Sequence, residues 1–127
     1  MHLTQLDTDL AICRLPVRDG VPPWFTLEPP LTAAVVRGGE LTLVAPQASV
    51  PDDVTAERGW RAIEVTGPLD LTMTGVMAAL SQALAQAGVA LFAVSSYDTD
   101  VLLVRRTQLQ AAVDALRDAG HVVGDQP

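Results

Sequence analysis

The order of strand and helix signals in residues 61–123 constrains the fold of this chain more than any other feature. Residues 61–66 alternate polar and apolar side chains, as a half-buried strand does. Apolar residues at helical spacing follow, with Thr74 as the predicted N-cap and Gly88 as the C-terminal stop. The predicted elements, in chain order, are a strand at 61–66, a helix at 75–87, strands at 89–94 and 101–104, a helix from Thr107 to Gly120 and a strand at 121–123. This β-α-β-β-α-β order is typical of the ferredoxin-like fold.

The first half of the chain looks like a shortened copy of the second. Ala11-Ile12 matches Ala62-Ile63, and Glu40–Val44 matches Asp100–Val104. The offset in residue number between the copies is larger for the second match than for the first. The offset changes at the place where the second half has its first helix. Gly38-Gly39 predicts a tight hairpin turn before the strand that begins at Glu40. The agreement between the strand order and the position of the deletion favours an internal repeat.

Prolines decide how the first half differs from the second. Four prolines between residues 21 and 30 forbid a full helix there, and residues 45–51 have room for at most one helical turn. We therefore expect an α+β protein with two ferredoxin-like halves, residues 1–58 with degenerate helices and residues 59–127 complete. Because about sixty residues are marginal alone, we expect the two halves to pack as one unit.

The charge and composition narrow the possible functions. The chain has 15 acidic residues against 8 basic ones, a formal charge of −7, which argues against a nucleic-acid binder. Every basic residue is Arg, so a P-loop lysine, a Schiff base and a lysine general base are excluded. A single cysteine excludes a disulfide framework and a cysteine-based zinc site. We expect no metal, no cofactor and no catalytic residue.

The first ten residues and the longest uncharged stretch bear on localisation. Asp7 and Asp9 lie in a start that lacks both a basic region and an apolar run, so a targeting signal is not expected. Residues 71–97 are uncharged but contain polar side chains and are split by Gly88, which fits a helix and a buried strand better than a membrane span. We expect a soluble cytoplasmic protein with no membrane contact.

Several segments resemble a known family. They are Glu57-Arg-Gly-Trp60, Gly67-Pro-Leu-Asp70, Thr74-Gly75, Ala87-Gly88, and Ser95-Ser-Tyr-Asp-Thr-Asp100 followed by Leu102-Leu-Val104. They resemble bacterial ACT-domain proteins, and are most similar to the small tandem-ACT proteins akin to the ACT modules of CASTOR-type arginine sensors. The resemblance covers Trp60 to Gly120, and Leu3 to Glu57 resembles the degenerate first half of the same proteins. It implies the same βαββαβ fold.

The resemblance also implies a function and a site. ACT modules are regulatory and bind small ligands, usually amino acids, at a contact between two ACT units, where a helix N-terminus favours a carboxylate. By position, the resemblance implies ligand contacts at Thr72, Gly75, Val76, Ala90, Ser96, Tyr97 and Asp100. The chain departs from the pattern at Thr72 and Ala90, which stand where many relatives have amides. The first helical turn, Gly75–Ala79, also lacks the acid of the arginine sensors, so the resemblance implies an amino acid without naming arginine.

Other interpretations of the same residues stay open. Asp98 and Asp100 can stabilise a turn, contact a ligand, or form a weak Asp-x-Asp metal site. Cys13 is expected to be a buried apolar residue, and Trp24 to cover the core beside the proline loop.

The resemblance and the alternative interpretations of these residues lead to three hypotheses about function. The leading hypothesis is a non-catalytic amino-acid-binding regulatory module that forms a homodimer and passes its signal through an unidentified protein partner or through oligomerisation. The alternative is a structural or protein-interaction module whose ligand site has decayed. An enzyme that uses Asp98 and Asp100 as acid and base is a third, since carboxylates can transfer protons.

Overall fold

The computed structural model describes residues 1–67, 69, 70 and 73–126, and these form two compact units. The N-terminal unit is Thr8–Trp60, and the C-terminal unit combines Met1–Asp7 with Arg61–Pro127. The strands are β1 (His2–Gln5), β2 (Leu10–Pro16), β3 (Ala33–Arg37), β4 (Glu40–Pro46), β5 (Ala56–Val65), β6 (Phe92–Ser95), β7 (Asp100–Arg105) and β8 (Val122–Asp125), and the helices are α1 (Val76–Gln86) and α2 (Leu109–Asp118). The assignment of residues 1–58 and 59–127 as ACT-type halves stays a prediction.

The C-terminal unit contains the predicted succession β5-α1-β6-β7-α2-β8, which confirms the ferredoxin-like fold class. Its strands lie in the order β8-β1-β5-β7-β6. Strand β1 is parallel to β8 and antiparallel to β5, with Leu3 opposite Val123 on one side and Val65 on the other. The sequence did not predict β1, because a four-residue segment with one buried apolar residue, Leu3, carries no clear alternation.

The two helices of the C-terminal unit begin later than predicted. Gly75, not Thr74, is the N-cap of α1, and its φ of 82° lies in the left-handed region that favours glycine. Residues 106–108 form a 3-10 turn, and α2 begins only at Leu109. The unit's core contains the buried side chains of Leu3, Ile63, Val65, Val76, Leu80, Leu84, Val89, Leu102, Val104, Ala112, Val113, Leu116 and Val123.

The N-terminal unit repeats the ferredoxin-like strand order without the helices. Its strands lie side by side in the order β3-β4-β2-β5. The strand that comes first in the chain, β2, therefore lies between the third, β4, and the fourth, β5, as it does in the ferredoxin-like fold. Three-residue 3-10 turns at 17–19 and 47–49 stand where helices would be, as the prolines predicted. Cys13 is buried in the core, and Trp24 packs against it half-buried, as expected. The other buried core residues are Ala11, Leu41, Leu43, Ala45 and Val50.

In the part of the chain that the structure describes, no helix has both the length and the apolar character needed to cross a membrane.

Candidate functional site

A cavity of about 230 Å³ lies in the C-terminal unit between the segment that leads into α1 and the hairpin that joins β6 to β7. The segment contributes Leu69, Asp70, Met73 and Val76, and the hairpin contributes residues 95–100. The cavity therefore lies at one corner of the unit, beside the end of its strand β5 and the N-terminus of α1.

Hydrogen bonds fix the hairpin side of the cavity. The amide nitrogen of Ser96 donates to the carbonyl oxygen of Thr99 at 2.8 Å, and the Oγ of Ser96 accepts from the amide nitrogen of Thr99 at 3.2 Å. The buried hydroxyl of Thr99 donates to the carbonyl oxygen of Val65 at 2.7 Å, which ties the turn to β5. At the base of the hairpin, Ser95 Oγ donates to Oδ1 of Asp100 at 2.6 Å. The turn is thus held from both sides.

The other wall of the cavity is held against the hairpin by close backbone contacts. The amide nitrogen of Leu69 donates to the carbonyl oxygen of Asp98 at 2.6 Å. Gly67 approaches the same turn so closely that a Cβ there would lie 3.2 Å from both the Asp98 carbonyl oxygen and the Thr99 Cβ. A side chain at residue 67 would therefore push the segment away from the hairpin.

The N-terminus of α1 opens onto the cavity. Val76, the first helical residue, lines it, and the N-cap residue Gly75 has no side chain to bond the first-turn amides. The first N–H groups of a helix have no acceptor within the helix and carry partial positive charge. This end of the cavity therefore suits an anionic group.

The remaining charged groups at the cavity are carboxylates. Asp98 and Asp100 line it on the hairpin side and Asp70 on the side of the segment that leads into α1, and no basic side chain does so among the described residues. No group of three or more potential metal ligands occurs in the described chain. Because charges of one sign in a cleft attract the opposite sign, the arrangement favours a cationic group over an anionic one at the hairpin side.

The structure brings together four of the residues that the resemblance implied. Val76, Ser96, Tyr97 and Asp100 line the cavity, and Gly75 directly precedes Val76. Ala90 is exposed and precedes β6, whose opposite end, Ser95, reaches the cavity. Thr72 lies outside the described residues. The roles of all seven residues stay predictions.

Sequence reasoning passed over several of the residues that line the cavity. Asp70 and Met73 lie in an irregular segment, so hydrophobic periodicity does not predict which way their side chains point. Ser95 does not stand out in the sequence, where it is one of several polar residues between two apolar runs. Its opposition to Asp100 follows from the hairpin register, which pairs these two residues across β6 and β7. The uncharged stretch 71–97 is flanked by Asp70 and Asp98, and this placement is the sequence signal that could have identified Asp70.

Comparison with solved structures finds the same fold in several proteins. A crystal structure of a protein from Agobacterium tumefaciens is 28% identical, with a TM-score of 0.91, and the match covers 99% of this chain and 93% of that one. A protein of unknown function from Vibrio cholerae is 19% identical, with a TM-score of 0.71 over 93% of this chain and 88% of that one. The regulatory subunit of aspartate kinase from Thermus flavus is 15% identical, with a TM-score of 0.63 over 94% of this chain and 97% of that one.

The likenesses to the Vibrio cholerae and Thermus flavus proteins concern the fold alone, because the sequence identities are only 19% and 15%. A search of curated proteins gives no match. The model of the ACT domain family matches residues 55–118, from the start of β5 to the end of α2. This match spans half of the chain and includes every residue that lines the cavity. The chain belongs to the ACT domain family.

Proposed function

We propose that this protein is a non-catalytic regulatory module whose C-terminal unit binds an amino acid. The observation that carries the proposal is the arrangement of the cavity, which has two carboxylates, Asp98 and Asp100, on the hairpin side, and the N-terminus of α1 with one carboxylate, Asp70, on the other. An amino acid carries an ammonium and a carboxylate group on one small frame, so it matches both ends. The ACT family and the fold likeness to an aspartate kinase regulatory subunit support the regulatory role.

Each predicted residue has a part in this proposal. The ammonium group lies near Asp98 and Asp100, and the carboxylate faces the first-turn amides that follow Gly75. Ser96 and Tyr97 bound the ligand on the hairpin side. Thr72 and Ala90 keep the roles that the resemblance implies, and a relationship to CASTOR-type sensors is part of the proposal. Arginine is one candidate ligand among the amino acids.

A second ACT unit completes the site in this proposal. The cavity of about 230 Å³ is smaller than the roughly 300–1,000 Å³ of typical ligand pockets. At its rim, Tyr97 is 82% exposed and Met73 is 53% exposed, so a second unit could bury two large side chains there. We propose that another copy of the chain supplies the covering surface in a cytoplasmic homodimer. Ligand that bridges two units stabilises their pairing and passes the signal to a protein partner.

Isothermal titration calorimetry against the amino acids tests the proposal. One or more should bind, and Asp100→Asn should weaken binding by about tenfold or more, because a charge-assisted contact is lost. Asp53→Asn is the matched control, since Asp53 is an exposed carboxylate of the other unit and should leave binding unchanged. Binding that is equal in both variants, or absent for every amino acid at millimolar concentration, contradicts the proposal.

The alternative function is a protein-interaction module with a decayed ligand site. Ala90 lies exposed outside the cavity, and the exposed Ala78 and Ala79 occupy the first turn of α1 where an acid would be. This alternative predicts an oligomer or a partner complex whose stability no amino acid changes. Analytical ultracentrifugation with and without the amino acids distinguishes it from the leading proposal.

A further inference from the structure

A second cavity, of about 550 Å³, lies in the N-terminal unit at the corner that corresponds to the first one. In both units the corner lies between the end of the first strand of the ferredoxin-like order and the hairpin that joins the next two strands. In the N-terminal unit these are the end of β2 and the β3–β4 hairpin. Nothing in the family resemblance or the first cavity assigns a role to this corner.

The two corners differ in charge at one of two equivalent hairpin positions. Ser95 pairs with Asp100 at the base of the β6–β7 hairpin, and Arg37 pairs with Glu40 at the base of the β3–β4 hairpin. The acid is therefore retained at the start of the later strand, while the residue opposite changes from a neutral hydroxyl to a guanidinium. This change converts an acidic corner into one that contains a cation.

A second arginine leaves the N-terminal corner with a surplus of positive charge. Arg37 Nη2 lies 3.5 Å from Oε2 of Glu40, and Arg14 Nε lies 4.0 Å from the same oxygen. Two guanidinium groups against one carboxylate leave one positive charge, in a chain whose formal charge is −7. The other oxygen of Glu40, Oε1, accepts from the Thr42 hydroxyl at 3.3 Å. The corner therefore attracts an anion that the rest of the surface repels.

Glu40 also indicates which anion the corner can take. Its carboxylate reaches both guanidinium groups through one oxygen, at distances longer than the roughly 2.7–2.9 Å of a charge-assisted hydrogen bond. The Arg14 and Arg37 side chains are 78% and 79% exposed, so both can turn their planar forks toward an incoming group. A carboxylate has the size and the two-oxygen shape that such forks bind.

The walls of the corner leave room for this group. Gly38 and Gly39 form the hairpin tip, and a Cβ built at either one would meet nothing within 4 Å. The opposite wall includes Thr55, whose carbonyl oxygen accepts from the amide nitrogen of Arg14 at 2.9 Å and so fixes the arginine's backbone. We infer that Arg14 and Arg37 form a second ligand site, which binds the carboxylate group of a small molecule.

The test is a titration with propionate followed by proton–nitrogen NMR at constant ionic strength, with chloride replaced stepwise. The amides of Gly38 and Gly39 should shift and reach saturation. Arg37→Gln and Arg14→Gln should each weaken the apparent affinity by about tenfold, because each removes one charged donor group. Arg18→Gln is the matched control, since Arg18 is an 85% exposed arginine of the same unit that does not line the cavity.

Each outcome decides the inference. Saturable shifts in the wild type and Arg18→Gln that weaken in the other two variants support it. Shifts that rise without saturation, or that are equal in Arg37→Gln and Arg18→Gln, overturn it. Inorganic phosphate binding at least tenfold more tightly than propionate overturns the assignment of a carboxylate. Because the reporters belong to the N-terminal unit, these results are independent of the proposed amino-acid cavity, and the Gly88 and Gly120 amides monitor the fold of the other unit.

Discussion

Ser95 donates a hydrogen bond of 2.6 Å from its Oγ to Oδ1 of Asp100, across the base of the β6–β7 hairpin. The two residues are register partners, so the backbone places the hydroxyl beside the carboxylate without any rearrangement. A hydroxyl holds a carboxylate in position but leaves its negative charge in place. Asp100 is therefore positioned at the cavity wall with its charge available to a cationic group.

Replacing Ser95 by Ala tests the positioning of Asp100. We expect the proposed amino-acid binding by the C-terminal unit to weaken about threefold to tenfold, the equivalent of losing one hydrogen bond. Unfolding stability should change little, because Ser95 is exposed. Calorimetric titration measures the binding. Ser81→Ala is the control, because its hydroxyl bonds only the Ala78 carbonyl in α1 at 3.3 Å, outside the cavity. Equal binding in both variants would show that Asp100 needs no support.

Thr99→Val tests the link between the hairpin and β5. The hydroxyl of Thr99 is buried and donates to the Val65 carbonyl at 2.7 Å, so valine leaves that acceptor without its partner. We expect a loss of about 1–3 kcal/mol in the free energy of unfolding. Urea denaturation measures it, with Thr107→Val as the control at an exposed position. A loss no larger than that of the control would refute the role of this bond.

Leu84→Ala tests the core of the C-terminal unit. Leu84 is fully buried on α1, and shortening it removes packed atoms and leaves a cavity. The expected loss in the free energy of unfolding is about 2–5 kcal/mol. Leu27→Ala provides the comparison, since Leu27 is 87% exposed and its loss should stay within about 0.5 kcal/mol. Similar midpoints for the two variants in chemical denaturation would contradict the assigned core.

Cys13 gives a prediction about high pH. Burial raises the pKa of the Cys13 thiol, and the nearby Arg58 charge opposes this only in part. The folded pKa therefore lies above the unfolded value of about 8.5, so the thiol's contribution to stability is complete below that value and is lost as the pH rises through and above it. Between pH 7 and pH 10, the denaturation midpoint should fall more for the wild type than for Cys13→Ala. An identical fall in both would contradict the prediction.

His121 gives the opposite prediction at low pH. Its Nδ1 lies 3.1 Å from the amino terminus of Met1, and burial, followed by the charge of that terminus, lowers the pKa of His121. The unfolded chain therefore binds the proton more readily, and the associated stability is present above about pH 6.5 and is lost as the pH falls through the lowered pKa. An NMR titration should give a His121 midpoint below that of an unfolded peptide. A midpoint at or above the peptide value would contradict it.

The parts of the fold that the sequence predicted well are those with regular patterns. Helix α1 follows apolar residues at helical spacing, strand β7 follows the continuous apolar run 101–104, and the Gly38-Gly39 turn joins two strands at the predicted place. The helix starts were less accurate, because Thr74 and Thr107 have suitable side chains but the caps depend on the tertiary path of the chain. Local propensity alone does not fix that path.

The candidate site was less predictable than the fold. Residues 95–100 form one local hairpin, so their proximity could be inferred from sequence. Asp70 reaches the same cavity through an irregular segment, and the Arg14–Glu40 contact joins neighbouring strands. Neither leaves a periodic signature, since both depend on strand register and on the approach of distant segments.

The place of β1 between β5 and β8 sets an order for folding during synthesis. Gln5 and Asp125 are hydrogen-bonded neighbours 120 residues apart in sequence, so the ribosome releases one long before the other exists. The N-terminal unit is a continuous stretch, Thr8–Trp60, and can fold as soon as it emerges. In the C-terminal unit, β1 stays without its β8 partner until residues 122–125 have been synthesised. A product that ends before Val122 would therefore leave that edge of β1 without its parallel partner strand.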